Sequence, residues 1–376
     1  MGLAVAHARH AVGVTVVASR YVFSMVWPRV VFIAVAGWLL FSVLDSMEAA
    51  RWLANGTMVQ VVWLYVCRAP EIFQQMMGPA VVLGVLAGVG QLNRRAELAA
   101  LSSGGRSLRT TVLPAVLVVS GGAALLHATL GEYVVPVAGR EALRLSTDVF
   151  KIFGGRYWDF HWRSGWFRAG PVYARAQPAD ADSYERVMGV VLEEGVGVTS
   201  RFVAQRMEAA PTPGHFVLQD AVITSFGPPP RVEVAARKEM DMPAAAAALT
   251  APMGYPEHFT AADLARTIER REAGGRDAAA YRLALLRRMT DPIMVLLLGL
   301  LAVPLAARQR REAPVERLLF AGGLAVATAQ ALSMLGDMLA ARAVLPGWLA
   351  AAVAPALVLL GAVLTWRRAE HARNAR

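Results

Sequence analysis

Apolar and polar positions along this chain fall into blocks. Residues 21–44, 79–92, 112–135, 289–306, 318–339 and 347–366 are long apolar runs carrying at most one formal charge each. With its shoulder residues, each approaches the roughly 20 residues that a helix rising 1.5 Å per residue needs to cross about 30 Å of hydrocarbon. The second run is preceded by apolar residues 58–67 and by Pro70, which predicts one helix over 58–92 kinked at the proline, where a backbone donor is missing. Beyond Pro136 the apolar character collapses. Segments 166–176, 187–193, 197–207, 216–225 and 232–236 alternate or run apolar between turn formers such as Pro211-Thr212-Pro213-Gly214 and Gly227-Pro228-Pro229-Pro230. That spacing predicts an all-β sandwich or jelly roll, with Val203 and Val217 as inward positions. Thr260 and Asp263 then open an amphipathic helix through a capping box, with Gly274-Gly275 after it.

The short polar inserts sort the runs into a topology. Residues 93–109 hold Arg94, Arg95, Arg106 and Arg109 against a single acid, Glu97. The string Glu97-Leu98-Ala99-Ala100-Leu101, followed by Ser102, Ser103, Gly104 and Gly105, reads as a short helix near 93–105 ended by glycine. Arg308, Arg310, Arg311 and Arg317 follow the fourth run, and Arg367, Arg368, Arg373 and Arg376 follow the sixth. The opposite loops hold only Arg51, Arg68 and Arg342. By the positive-inside bias this predicts six transmembrane helices, both termini cytoplasmic, and an extracytoplasmic β-domain between helices 3 and 4. The expected division is 1–140, 141–257 and 258–376. The arginines of 93–109 have two readings, topological bias or a grip for a soluble partner. Arg29, inside the first span, either snorkels to the cytoplasmic face or faces a polar cavity.

Composition agrees. With 376 residues, 56% of them hydrophobic, and a mean hydropathy of +0.43, the chain is too apolar for an ordinary soluble domain. The net charge of +10 reflects arginines beside spans; no aromatic-basic motif indicates a nucleic-acid partner. A single cysteine, Cys67, excludes an intramolecular disulfide framework and a cysteine-based zinc site. No phosphate-binding G-x-x-x-x-G-K-[ST] loop and no H-E-x-x-H occurs, and Ser103-Gly104 and Ser164-Gly165 lack a nucleophile-elbow context. The chain is therefore expected to be no enzyme and to bind no cofactor or metal itself.

The string Gly90-x-Leu92-x-x-Arg95-x-Glu97-Leu98, with Gly105 eight residues after Glu97 and Gly131-Glu132-Tyr133-Val134-x-Pro136 at the end of the third run, resembles the LptF/LptG (YjgP/YjgQ) permeases of the lipopolysaccharide-export ABC transporter. The likeness runs over nearly the whole chain and is weakest between about 150 and 250. It implies a bacterial inner-membrane subunit that extracts lipopolysaccharide and passes it through a periplasmic jelly roll to bridge proteins towards the outer membrane. The implied partners are a paralogous permease, forming a heterodimer, and an ATPase dimer that binds the ATP. It places Arg95, Glu97, Leu98, Leu101 and Gly105 on the ATPase-coupling helix. Arg29, Asp45 and Arg51 are the substrate-path candidates, although Glu48 and Ala49 stand where the close family pattern carries lysines. Gly131-Glu132-Tyr133 and the run 275–285 look closer to LptG than to LptF. The alternatives are a permease of another lipid, or a lipoprotein-releasing system, and, behind them, a membrane-anchored periplasmic enzyme.

Overall fold

The computed structural model describes residues 2–53, 55–103, 107–150, 166–169, 171–180, 183–193, 197–210, 215–242, 256–273, 278–308, 314–342 and 344–374. The chain forms two compact units, Met1–Ile152 with Leu283–Arg376, and Phe153–Arg282.

The first unit is helical: α1 (Gly2–Leu53), α2 (Met58–Arg94), α3 (Glu97–Ser103), α4 (Leu108–Thr111), α5 (Leu113–Thr129) and α6 (Val135–Arg144). Six candidate membrane spans are long and apolar enough to cross: Val17–Met47, Met58–Arg94, Leu113–Arg144, Ala279–Arg308, Glu316–Ala341 and Gly347–Ala369. α2 is the central one, with 61% of its most apolar stretch buried against 11% for the first span. It opens with a capping box in which the Thr57 N–H donates to Gln60 Oε1 at 2.8 Å and Gln60 N–H donates back to Thr57 Oγ1 at 3.4 Å. Among its described side chains, α1 buries only the stripe Ala18, Val22, Val26, Val30 and Ala34, one residue per turn. This stripe runs antiparallel along α2 over Gly84 and Gly88. A Cβ at Gly84 would lie 2.8 Å from the Val30 backbone, and one at Gly88 would lie 3.1 Å from that of Val26. The G-x-x-x-G pair is thus the seam between the first two spans, where small residues let backbones approach.

The third span extends further than its pattern predicts. Instead of ending at Pro136, it passes through a π-turn, Leu130–Val134, into α6 and a second π-turn, Leu145–Val149. Pro136 has no N–H for the preceding turn, and the wider π-turn absorbs that loss at the start of α6. α6 is amphipathic, with Val135, Pro136, Gly139 and Ala142 buried. Ala142, Leu145 and the fully buried Phe150 form a small core with Leu64 and Cys67 of α2.

The second unit contains one antiparallel sheet in chain order: β1 (Trp166–Ala169), β2 (Val172–Asp180), β3 (Ser183–Glu193), β4 (Gly197–Ala209), β5 (His215–Ser225) and β6 (Arg231–Asp241). The single strand expected over 166–176 is two strands, because Ala169 pairs directly with Val172 across a two-residue reversal. The core holds Val187, Phe202, Ala204, Met207, Leu218 and Ile223, among others. Phe202 opposes Ile223 and Met207 opposes Leu218, so the inward side changes parity between Ala204 and Met207 and between Leu218 and Ala221. The left-handed residues Arg186 (φ 51°) and Asp220 (φ 51°) lie on this row, which creases the sheet and lets it curve over its own core. Val203 is correspondingly outward, at 40% exposure, and Val217, although buried, lies between the core residues Phe216 and Leu218 and so on the other face of β5; neither expected inward position faces this core. α7 (Ala261–Ala273) starts with the expected capping box, Asp263 N–H donating to Thr260 Oγ1 at 3.1 Å and Thr260 N–H to Asp263 Oδ2 at 3.4 Å. The glycines after it lie outside the described residues. α8 (Ala279–Arg308), α9 (Val315–Ala341) and α10 (Gly347–Asn374) complete the chain.

Candidate functional site

The corner between α2 and α3 is built by one residue. Arg95 caps α2 by donating its N–H to Gln91 O at 3.0 Å, and Ala96, at φ 61°, donates to Asn93 O at 3.1 Å. The Ala96 carbonyl then accepts from the N–H groups of Ala99 and Ala100, both at 3.0 Å, starting α3. A left-handed alanine costs about 1 kcal/mol or more; here it turns the chain from a span into a surface helix without an intervening loop. The expected helix near 93–105 is therefore divided, with Arg94 and Arg95 closing α2 and Glu97 opening α3. Gly105 lies outside the described residues.

Two side chains fix α3 to the bundle. Leu98 is 5% exposed and belongs to the main membrane core, so it anchors the helix inward and leaves no apolar handle at that position. Glu97 Oε2 accepts from Tyr21 Oη of α1 at 2.9 Å, and Oε1 lies 3.9 Å from Arg95 Nη1. Leu101 is half-buried, while Arg94, Arg95, Ala99 and Ala100 are exposed. Asn93 Nδ2 donates to Ala306 O at 3.4 Å, tying the corner to the end of α8. The corner is thus joined to α1 through Glu97, continues α2 through Ala96 and meets α8 through Asn93.

Arg29 and Asp45 are not brought together. Sixteen residues separate them along α1, about 24 Å. Arg29 is half-buried and donates to Gln91 Oε1 of α2 and to Met25 O, a polar clasp between neighbouring spans, so it neither snorkels free nor joins a path with Asp45. Asp45 Oδ2, towards the opposite end of α1, accepts from Arg68 Nη1 at 2.5 Å and from Tyr65 Oη at 3.1 Å. Arg51 is helical, and its side chain lies outside the described residues.

Further polar groups lie at the bundle end opposite α3, where the sequence pattern predicts only apolar spans with isolated charges. Arg287 Nη2 donates to Asp337 Oδ1 at 2.6 Å and to Ser333 O at 3.1 Å, and Arg287 Nη1 lies 3.6 Å from Asp291. Gln74 Nε2 donates to His127 O at 3.0 Å. Beside it Gly131, in the first π-turn, lies close under two polar side-chain ends: a Cβ there would lie 2.6 Å from Gln74 Nε2 and 2.9 Å from Arg288 Nη1, so either end would have to move to admit it. Asp291 of span four and Asp337 of span five both face Arg287, and such pairing is how an ionised group persists at membrane depth. Among the described residues no three His, Cys, Asp or Glu side chains converge as metal ligands.

The family model described as lipopolysaccharide export system permease LptF/LptG matches residues 20–368. The chain belongs to the LptF/LptG family. A comparison with individual curated proteins finds no match. LptF/LptG members are non-catalytic permease components of an ABC transporter for lipopolysaccharide export, and the six apolar helices with an antiparallel sheet inserted between the third and fourth fit that assignment. An LptF/LptG chain is thus a multi-pass membrane protein whose work implies ATPase and permease partners.

Proposed function

We propose that this chain extracts lipopolysaccharide from the bacterial inner membrane as one half of a permease heterodimer. A dimeric ATPase binds and hydrolyses the ATP, and the lipid leaves through the β-sheet unit towards periplasmic bridge proteins. The observation that carries the reading is the α2–α3 corner at an arginine-rich bundle end: it presents Arg94 and Arg95 of α2 with Ala99 and Ala100 of α3, while Glu97 holds α3 to α1, Leu98 sits in the core and Asn93 ties the end of α2 to α8. Such a part transmits displacement without deforming. The positive-inside bias puts this corner and both termini in the cytoplasm and the sheet in the periplasm. The LptG-like place in the heterodimer rests on Gly131-Glu132-Tyr133 and the run 275–285.

The reading predicts that this chain, reconstituted with a related permease and an ATPase, releases lipopolysaccharide to a periplasmic acceptor at the expense of ATP. Glu97→Lys replaces an acceptor for Tyr21 with a cation beside Arg95 and is expected to lower lipid released per ATP, with membrane insertion unchanged. Transport by the chain without an ATPase, or coupling unchanged in Glu97→Lys, would overturn it.

A further inference from the structure

A cavity of about 420 Å³ opens beside the α2–α3 corner, within the size range of small-molecule sites. Its apolar floor is formed by Leu86, Ala87 and Gly90 of α2 and Leu318 of α9. Its polar lining consists of Gln91, Arg94 and Arg95. Leu86 and Leu318 are buried, at 0% and 6% exposure, whereas both arginines are exposed. Gln91 uses its Oε1 to accept from Arg29, which leaves its amide N–H groups as the donors available to the cavity. The lining contains no carboxylate; Glu97, 3.9 Å from Arg95, is held by Tyr21 at 2.9 Å.

We infer that this cavity is a binding site for an anionic glycerophospholipid of the leaflet next to α3. The phosphate lies between Arg94, Arg95 and the Gln91 amide, and the upper part of one acyl chain lies against Ala87 and Leu318. Charge and polarity choose the occupant. A rim with only cations and donors suits a phosphate, to which guanidinium groups make charge-assisted bonds, and an apolar floor opening from a membrane span suits the chain attached to it. A free phosphate would use the rim and leave the floor wet. The site is separate from the route of the exported lipid proposed above, and it places a structural lipid against the helix that takes the load.

The test uses the full chain in nanodiscs of phosphatidylcholine doped with phosphatidylglycerol of identical acyl chains, with retained lipid counted by native mass spectrometry after detergent extraction. Neither ATPase nor lipopolysaccharide is present, so the result is independent of transport. Wild type is expected to retain phosphatidylglycerol over phosphatidylcholine by about tenfold. Arg94→Gln should abolish that preference, and Ala87→Phe, which fills the floor and keeps both arginines, should abolish retention. Excess inorganic phosphate should leave retention unchanged. Equal retention of the two lipids, a preference indifferent to both substitutions, or full displacement by inorganic phosphate would each overturn the assignment.

Discussion

At the scale of residues, the corner depends on two features that no hydropathy pattern carries. Ala96 holds a left-handed conformation that glycine adopts without a Cβ penalty and β-branched residues adopt with strain. Ala96→Gly is expected to fold normally, while Ala96→Val should lose about 1–2 kcal/mol, read as a lower unfolding temperature in detergent together with weaker ATPase association. Tyr21 is the other feature. Tyr21→Phe removes only the hydroxyl that donates to Glu97 at 2.9 Å, a bond to a partly exposed charge worth about 1 kcal/mol. Its effect should appear as less lipid released per ATP with thermal stability little changed. Tyr21→Phe coupled like wild type would show that load does not pass from α3 to α1 through this bond. Phe150 is simpler: fully buried against Gly56 and the start of α2, it should cost about 3–5 kcal/mol on replacement by alanine, measurable as urea unfolding at lower concentration.

At the scale of elements, the spans differ in how they are held. α1 touches the bundle through one stripe and two glycines, so Gly84→Ile should separate it from α2. The added side chain meets the Val30 backbone, and overpacking of this kind costs about 1–3 kcal/mol. The expected readout is loss of disulfide crosslinking between cysteines placed at Val30 and Val85, with the remaining spans still inserted; retained crosslinking would mean that the seam is slack. The third span continues through Pro136 because a π-turn precedes it, and Gly131 in that turn admits Gln74 and Arg288. In the sheet, the crease at Arg186 and Asp220 decides which side chains face in. Phe202→Ala should therefore destabilise the second unit by about 3–5 kcal/mol, whereas Val203→Ala, at an outward position, should stay within about 0.5 kcal/mol of wild type.

At the scale of the whole molecule, the membrane unit is a bundle around α2 whose first span exposes most of its apolar surface. Phe32, Leu40 and Met47 are 72%, 63% and 70% exposed. Apolar exposure of this kind suits lipid or a second set of spans equally well in hydrocarbon. The charges are distributed by end. One end collects the arginines flanking α3, while the other holds ion pairs that answer each other, Asp45 with Arg68 and Arg287 with Asp337.

The six spans and the change to strands after the third were legible because each is a property of local composition: a run of apolar residues must lie in lipid, and turn formers must interrupt strands. The seam at Gly84 and Gly88 emerged only from the structure, where Val30 and Val26 of α1 press against those glycines. Several other features came only from the tertiary structure. The turn at Ala96 is set by what α2 and α3 pack against. Leu98 faces inward and Val203 outward because one helix phase and one strand parity were selected by distant partners. The ionic partners of Asp45 and Asp337, Arg68 and Arg287, lie 23 and 50 residues away. The physical reason is common to all of them. Hydropathy records how much a residue gains by leaving water, which the residue carries with it, whereas direction and pairing are decided by which neighbour arrives, and that belongs to the fold.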